Sequence, residues 1–281
     1  MAYQPPAQPP PNYNTAAPSK SYASDQQPLL SHAQQPYASG SAAPSNDYAD
    51  GGDDDIPEDF KIGMTVSQSS QDVRHAFVAK VYGVLFCQIV GTTVIGAIMS
   101  TERISAWTQE HAGLMMIPMF SAIGVMLAVY WKRHSHPLNI ILLGLFTVLE
   151  SITIGAIVGM YPTTIVLQAL VITSFVFVGL TLFTFQSKYD FSNMGSYLFA
   201  ALLVFVLTGI VGIFLPFNRV TDMLMAGAGC LLFSLYIVFD THMLLNRLHI
   251  DDWVLACVSL YLDILNLFLQ ILRLLSDIQE R

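Results

Sequence analysis

Asp263 stands near the middle of Val254–Leu275, VLACVSLYLDILNLFLQILRLL, an apolar run long enough to cross a bilayer. An ionised side chain at that depth costs roughly 2.5–3.5 kcal/mol on insertion scales, so such residues face a polar interior and mark a pathway. Ser259, Asp263, Asn266, Gln270 and Arg273 recur at i, i+3/i+4 spacing, which draws one polar stripe along a helix. A second acid, Asp240, lies in the preceding run, in LFSLYIVFDTHMLL. Counting rise per residue from the ends of the two runs puts Asp240 roughly 8–12 Å and Asp263 roughly 15 Å inside the same membrane face. Consecutive spans joined by a short loop are usually neighbours. The two carboxylates are therefore expected to meet.

Two carboxyl groups in a low-dielectric site cannot both ionise cheaply, so the pair is expected to bind protons as a unit. When it ionises it needs a base or a cation, and Ca²⁺ prefers carboxylate oxygen, which makes Asp240 and Asp263 a transient calcium site. The plainer alternative is that each Asp bonds helix backbone or hydroxyls such as those of Tyr236 and Tyr261. Glu150, in FTVLESITIGAIVG, is a third acid inside an apolar run; it either lines the same path with Asn266 and Gln270 or joins two helices in its protonated form. Arg133, at the end of the second span, is placed to reach inward toward Asp240 or outward to lipid phosphate. Lys80 and Gln88 in the first span are lesser lining residues. The histidines flank the spans without ligand spacing, and Cys87, Cys230 and Cys257 show no paired spacing, so the cysteines read as small core residues rather than a disulfide or thiolate framework.

The elements that must position these groups are long and apolar. Over 281 residues, 53% hydrophobic against 11% charged, with mean hydropathy +0.53, describes a membrane protein rather than a soluble or disordered chain. Apolar runs cover about 77–100, 113–131, 138–160, 164–185, 194–214, 223–245 and 254–275. Each meets the roughly 17–25 residues of a spanning helix, and the short connectors leave no room for a soluble catalytic domain. The fold class is thus an all-α membrane protein, a bundle of about seven transmembrane helices with a disordered N-terminal tail. Trp107, Trp131 and Trp253 fall at run boundaries, where indole rings settle at headgroup level. Lys61, Arg74, Lys132, Arg133, Lys188 and Arg247 share one side while Arg103 and Arg219 fall opposite, so the positive-inside rule puts the N-terminus in the cytosol. Seven spans leave the C-terminus in the lumen; a re-entrant last run would return it to the cytosol.

The tail, residues 1–70, precedes the transmembrane domain of residues 71–281. Its first sixty residues are rich in Pro, Gln, Ser and Ala and set Lys20 against eight carboxylates, ending in DGGDDDIPEDF. Such a segment lacks the apolar surface to offset its ordering entropy, and it has no basic start followed by an apolar core, so it is not a signal peptide. Pro10, Pro11 and Tyr13 form a PPxY motif, whose polyproline geometry fits the groove of WW domains. Asp25, Leu29 and Leu30 resemble an acidic dileucine sorting signal. Both are short patterns in a biased segment, where chance matches also arise.

VRHAFVAKVYGVLFCQIVGTT, FTVLESITIGAIVG, FTFQSKYDFSNMGS, LFSLYIVFDTHMLL and SLYLDILNLFLQILRLL, in that order across residues 72–276, resemble the Bax inhibitor family. The FQSKYDF segment, with the Pro-rich tail, is similar to its lifeguard branch. The resemblance implies a seven-helix protein of intracellular membranes, whether endoplasmic reticulum, Golgi, vacuole or lysosome, with a pH-dependent Ca²⁺ leak and suppression of cell death. The family's paired aspartates match Asp240 and Asp263. Its basic latch corresponds to Arg133, which follows Tyr130 and Trp131 with Lys132 between.

Three function classes compete. The first is a pH-sensitive calcium leak regulating calcium homeostasis and cell death, with no enzymatic activity, no cofactor and Ca²⁺ as permeant or bound ion. The second is an adaptor whose tail recruits WW-domain ubiquitin ligases or sorting adaptors, or which engages apoptosis regulators, Leu272–Asp277 imitating the core of a pro-apoptotic helix. The third, an intramembrane aspartyl protease, lacks its signature, because Asp263 follows Leu260-Tyr261-Leu262 instead of a GxGD turn. Nucleic acid is not an expected partner.

Overall fold

The computed structural model describes residues 65–215 and 217–279, all within the unit Gly52–Arg281. The tail motifs, Pro10, Pro11 and Tyr13 with Asp25, Leu29 and Leu30, lie outside the described residues. The remainder is an all-helical bundle: α1 Gln71–Met99, α2 Glu102–Glu110, α3 Met116–Lys132, α4 Leu138–Val158, α5 Thr163–Gln186, α6 Gly195–Phe214, α7 Arg219–Asn246 and α8 Trp253–Gln279. Seven of these, counting the short 3₁₀ turns that lead into α3, α6 and α8, are long and apolar enough to span a bilayer. The protein is a multi-pass membrane protein, and its outer residues, such as Phe175, Phe199 and Ile213, face lipid. With the backbone satisfied inside each helix, the apolar side chains face outward at no cost.

Local chemistry sets the helix starts. The Ser70 hydroxyl accepts from the Val73 N–H at the head of α1, with Asp72 in the first turn. Asn218 does the same for Thr221 at the head of α7, with Asp222 beside it. Each cap satisfies an orphan donor, and each acid lies at the positive end of the helix dipole.

α8 is the axis of the bundle. It packs most extensively on α7, then on α5 and α1, while α4 holds α1 on one side and α3 on the other; α6 meets the bundle through α7. α8 is one uninterrupted helix of 27 residues, long and apolar enough for a full span, with no break of the kind a re-entrant segment needs. Tyr261, Leu260, Leu272, Val254 and Cys257 on α8 are wholly buried.

Several sequence expectations change in three dimensions. Trp107 and Trp131 are exposed at the bundle's ends, but Trp253 is buried and the Lys80 ammonium sits 4.1 Å from its ring centroid. Trp253 is therefore a core residue, and Lys80 is held by its π face instead of lining a path. Only Cys257 of the three cysteines is buried; Cys87 is exposed because α1 turns that face outward. The tail, expected to run to residue 70, is tied down from residue 65. Thr65 forms an antiparallel bridge with His249, the Val66 N–H donates to the Leu248 carbonyl at 2.9 Å, and Val66 is fully buried. Residues 65–70 thus form a strap across the α7–α8 loop. The amphipathic α2, between the first two spans, was not expected; at nine residues it is too short for a hydropathy window.

Candidate functional site

α7 and α8 are antiparallel neighbours joined by the turn Arg247–His249 and a 3₁₀ turn over Ile250–Asp252. This hairpin brings Asp240 and Asp263 together: the two carboxyl groups are direct electrostatic neighbours, and Ser259 lies beside Asp240. Ser259 and Asp263 stand one turn apart on α8, so both present to α7. Asp263 is 6% exposed, and its Oδ2 has no protein partner. Tyr130 of α3 closes the site beside Ser259, within electrostatic reach of Asp240, and Tyr236 of α7 lies within reach of both acids. Two carboxyl oxygens in such contact hold together through a shared proton; with both ionised they repel.

Arg133 is positioned differently from expectation. Its Nε pairs with the Asp252 carboxylate at 3.3 Å, where His134 Nε2 also sits at 3.0 Å. The partner is thus the acid at the head of α8 and not Asp240. The helix start explains the choice: Asp252, in the turn before Trp253, is nearer the bundle's end, where a guanidinium keeps its hydration. Arg133 remains within electrostatic reach of Tyr130, and Tyr130 of Asp240. A chain of neighbours therefore connects Asp252 through Arg133 and Tyr130 to the pair.

Glu150 lies elsewhere. Tyr261 is two residues before Asp263, which turns it about 200° around α8. Its hydroxyl shares a 2.7 Å hydrogen bond with Thr92 of α1, and the Ser151 hydroxyl of α4 donates to Thr92 at 2.9 Å. Gln88 Nε2 donates to the Thr147 hydroxyl at 2.8 Å on the same interface. Glu150 is in electrostatic reach of Tyr261. α8 therefore carries two polar layers on opposite faces, the aspartate pair toward α7 and α3, and this hydroxyl network toward α1 and α4.

The rest of the stripe is dispersed along α8. Asn266 donates to its own helix, to the Leu262 carbonyl at 2.8 Å. Gln270 packs against Gly229, where any Cβ would lie 2.7 Å from its Cγ, and its Oε1 has no protein partner. Leu272 is fully buried, so the segment Leu272–Asp277 has its apolar face inside the bundle. Among the described residues no cluster of three or more His, Cys, Asp or Glu side chains comes together. A Ca²⁺ ion, which takes six to eight oxygens, would find two carboxylates and the Ser259 hydroxyl at the pair.

A second ionic cluster lies at the same end of the bundle, and apart from the FQSKYDF segment nothing in the residue pattern points to it. Asp190, between α5 and α6, faces Arg247 Nη2 at 3.5 Å and His242 Nε2 at 3.6 Å. Its carboxyl is held below the usual carboxylate range, first by the Ser192 hydroxyl, then by the Ser192 N–H, and less by Arg247 and His242. The Phe191 ring meets the His242 ring edge-on.

The family model "Inhibitor of apoptosis-promoting Bax1" matches residues 74–281. The chain is 41% identical over 222 residues to the Golgi anti-apoptotic protein of Vaccinia virus (strain Lister), covering 79% of this chain and 93% of that protein. It is 38% identical to protein lifeguard 4 of Mus musculus (80% and 95% covered) and 38% identical to Bax inhibitor 1 of Schizosaccharomyces pombe (79% and 84%). The seven-helix bundle, its central last helix and these matches together place the chain in the Bax inhibitor family, in its lifeguard-like branch.

Proposed function

We propose that this protein is a pH-sensitive calcium leak of an intracellular membrane that restrains cell death by setting stored calcium. The observation that carries the reading is the contact between Asp240 and Asp263 inside the bundle, with the Asp263 Oδ2 unpartnered. Protonated, the pair is neutral and holds α7 to α8. Ionised, it repels itself and attracts a divalent cation, so proton loss and cation entry compete for the same oxygens. Two carboxylates fall short of a full calcium shell, which suits an ion that must leave again. Arg133 acts as the latch through Asp252, holding the head of α8 against α3 while the pair is closed. Asn266 and Gln270 continue the path along α8, and Glu150 serves the opposite layer.

The anti-apoptotic role is taken from the relatives' names, and the Golgi membrane from the viral relative; the endoplasmic reticulum and vacuole are the other candidate membranes. The basic residues orient the tail and the α7–α8 loop to the cytosol. The test is Ca²⁺ flux from liposomes holding the purified protein, followed from pH 6 to 8 for wild type, Asp240→Asn and Asp263→Asn. Each substitution should flatten the pH response, and unchanged flux with an unchanged pH response would exclude the pair as its origin. The adaptor reading rests on the PPxY and dileucine motifs. Removing residues 1–60 separates the two, since a leak survives in liposomes whereas WW-domain recruitment and sorting do not.

A further inference from the structure

At the end of the bundle away from the aspartate pair, α6 stands off from α7 and α8 around a cleft of about 330 Å³ lined by Gly209, Gly212, Ile213, Phe217, Asp222, Met225 and Arg273. The lining mixes apolar side chains and glycines with polar surface, and among the described residues its charged feature is the ion pair between Arg273 Nη2 and Asp222 Oδ1, 2.8 Å apart. Both side chains are partly exposed. Asp222 belongs to the first turn of α7 and Arg273 to the last two turns of α8, so the pair lies near headgroup depth, not at the bilayer centre. Arg219 braces the same end by donating to the Asp277 carbonyl.

The two sides of the cleft are built differently. Asp222 is fixed by the capped start of α7, and Arg273 by the buried stripe of α8. The α6 side offers bare backbone: a Cβ at Gly209 would meet nothing within 4 Å, whereas at Gly212 it would strike the Phe217 ring at 2.9 Å. Phe217 therefore closes one end over Gly212, and the Gly209 side is open to a chain lying along α6.

We propose that this cleft binds one aminophospholipid of the surrounding leaflet, its phosphate on Arg273, its ammonium on Asp222 and an acyl chain along the glycine face of α6. Charge complementarity selects the class. A single N–H···O contact joins Asp222 and Arg273, leaving further guanidinium donors and the second carboxyl oxygen to a ligand. A guanidinium beside a carboxylate offers one site of each sign, which matches a zwitterion carrying a phosphate and a compact ammonium donor. A purely anionic headgroup would meet repulsion from Asp222, and a choline headgroup has no N–H to give it. The volume is at the small end of ligand sites, enough for a headgroup and the first part of a chain, and the rest of the lipid stays in the bilayer.

The experiment is native mass spectrometry of the full chain released from nanodiscs of phosphatidylcholine with equal minor shares of phosphatidylethanolamine and phosphatidylglycerol. Wild type should retain one phosphatidylethanolamine in excess of its share. Arg273→Gln should reduce the excess retention of phosphatidylethanolamine by about fivefold to tenfold, the scale of one charge-assisted hydrogen bond. Asp222→Asn should reverse the preference toward phosphatidylglycerol. Gly209→Leu, which fills the cleft without touching the charges, should abolish retention while leaving thermal unfolding unchanged. Lipid retained in proportion to the bilayer composition, or a wild-type pattern in Gly209→Leu, would overturn the proposal. The measurement reads lipid and not ion flux, so it stands or falls independently of the calcium reading.

Discussion

α8 and α6 are both membrane spans, yet 67% of the apolar window of α8 is buried in protein and only 6% of that of α6. Their hydropathies run the other way, 1.9 for α8 and 2.6 for α6. In water the more apolar helix would be the inner one. In a bilayer the surroundings are as apolar as leucine, so an apolar side chain gains little from moving inward, whereas Ser259, Asp263, Asn266 and Gln270 gain a great deal. α8 is central because of its polar residues. α6, whose Thr208 hydroxyl is satisfied by its own helix at the Val204 carbonyl, has nothing that must leave lipid.

The contrast predicts unequal responses to equal substitutions, measured as unfolding in detergent. The largest is expected for Leu267→Ala in α8, where Leu267 is 1% exposed and a cavity costs about 2–5 kcal/mol; Leu203→Ala on the half-exposed face of α6 should cost under about 1 kcal/mol. Equal losses would break the comparison. Next is Gly229→Ala, whose methyl would meet Gln270 at 2.7 Å and Phe205 at 2.9 Å, an overpacking that costs about 1–3 kcal/mol. Gly209→Ala on α6 meets nothing and should be near neutral. Tyr261→Phe removes the bond to Thr92 and should cost about 0.6–1.7 kcal/mol, the range for interhelical hydrogen bonds in membranes, whereas Thr208→Val should change little.

The smallest effect concerns the connector into α6. The Asp190 carboxyl is depressed, mainly by the Ser192 hydroxyl and N–H, so its contribution is complete above the ordinary carboxylate value of about 4 and fades as pH falls through the lower folded value. Hydrogen exchange of residues 189–192, corrected for intrinsic rates, should stay constant from pH 7 to 5 and rise only at more acid pH. Asp190→Asn should show the raised rate throughout. A rise already at pH 6 would assign the tie to His242 instead.

The spans were legible in the sequence because hydropathy integrates over some twenty residues, and the pairing of Asp240 with Asp263 because a short loop fixes the relative depth of two consecutive helices. Features that depend on packing between distant segments were not legible. Arg133 pairs with Asp252, a choice made by which helix start lies opposite the end of α3. Trp253 sits at a run boundary like the other indoles but is drawn inward under Lys80. The link from Thr92 to Tyr261 and Ser151 joins three helices from ordinary hydroxyl residues, and hydroxyls within apolar runs leave no charge to flag them. α2, at nine residues, falls below the length that hydropathy detects.

The strap at residues 65–70 has a consequence in the order of synthesis. Thr65 and Val66 are made before any span, but their partners His249 and Leu248 follow about 180 residues later, so the contact carries one of the longest loop closures in the fold. It has nothing to form against until six helices have been inserted and the turn before α8 has emerged. A chain halted before that turn leaves Val66, buried in the finished protein, without its pocket. Docking of the strap thus marks, at the start of the domain, that the chain has reached the helix on which the whole bundle is centred.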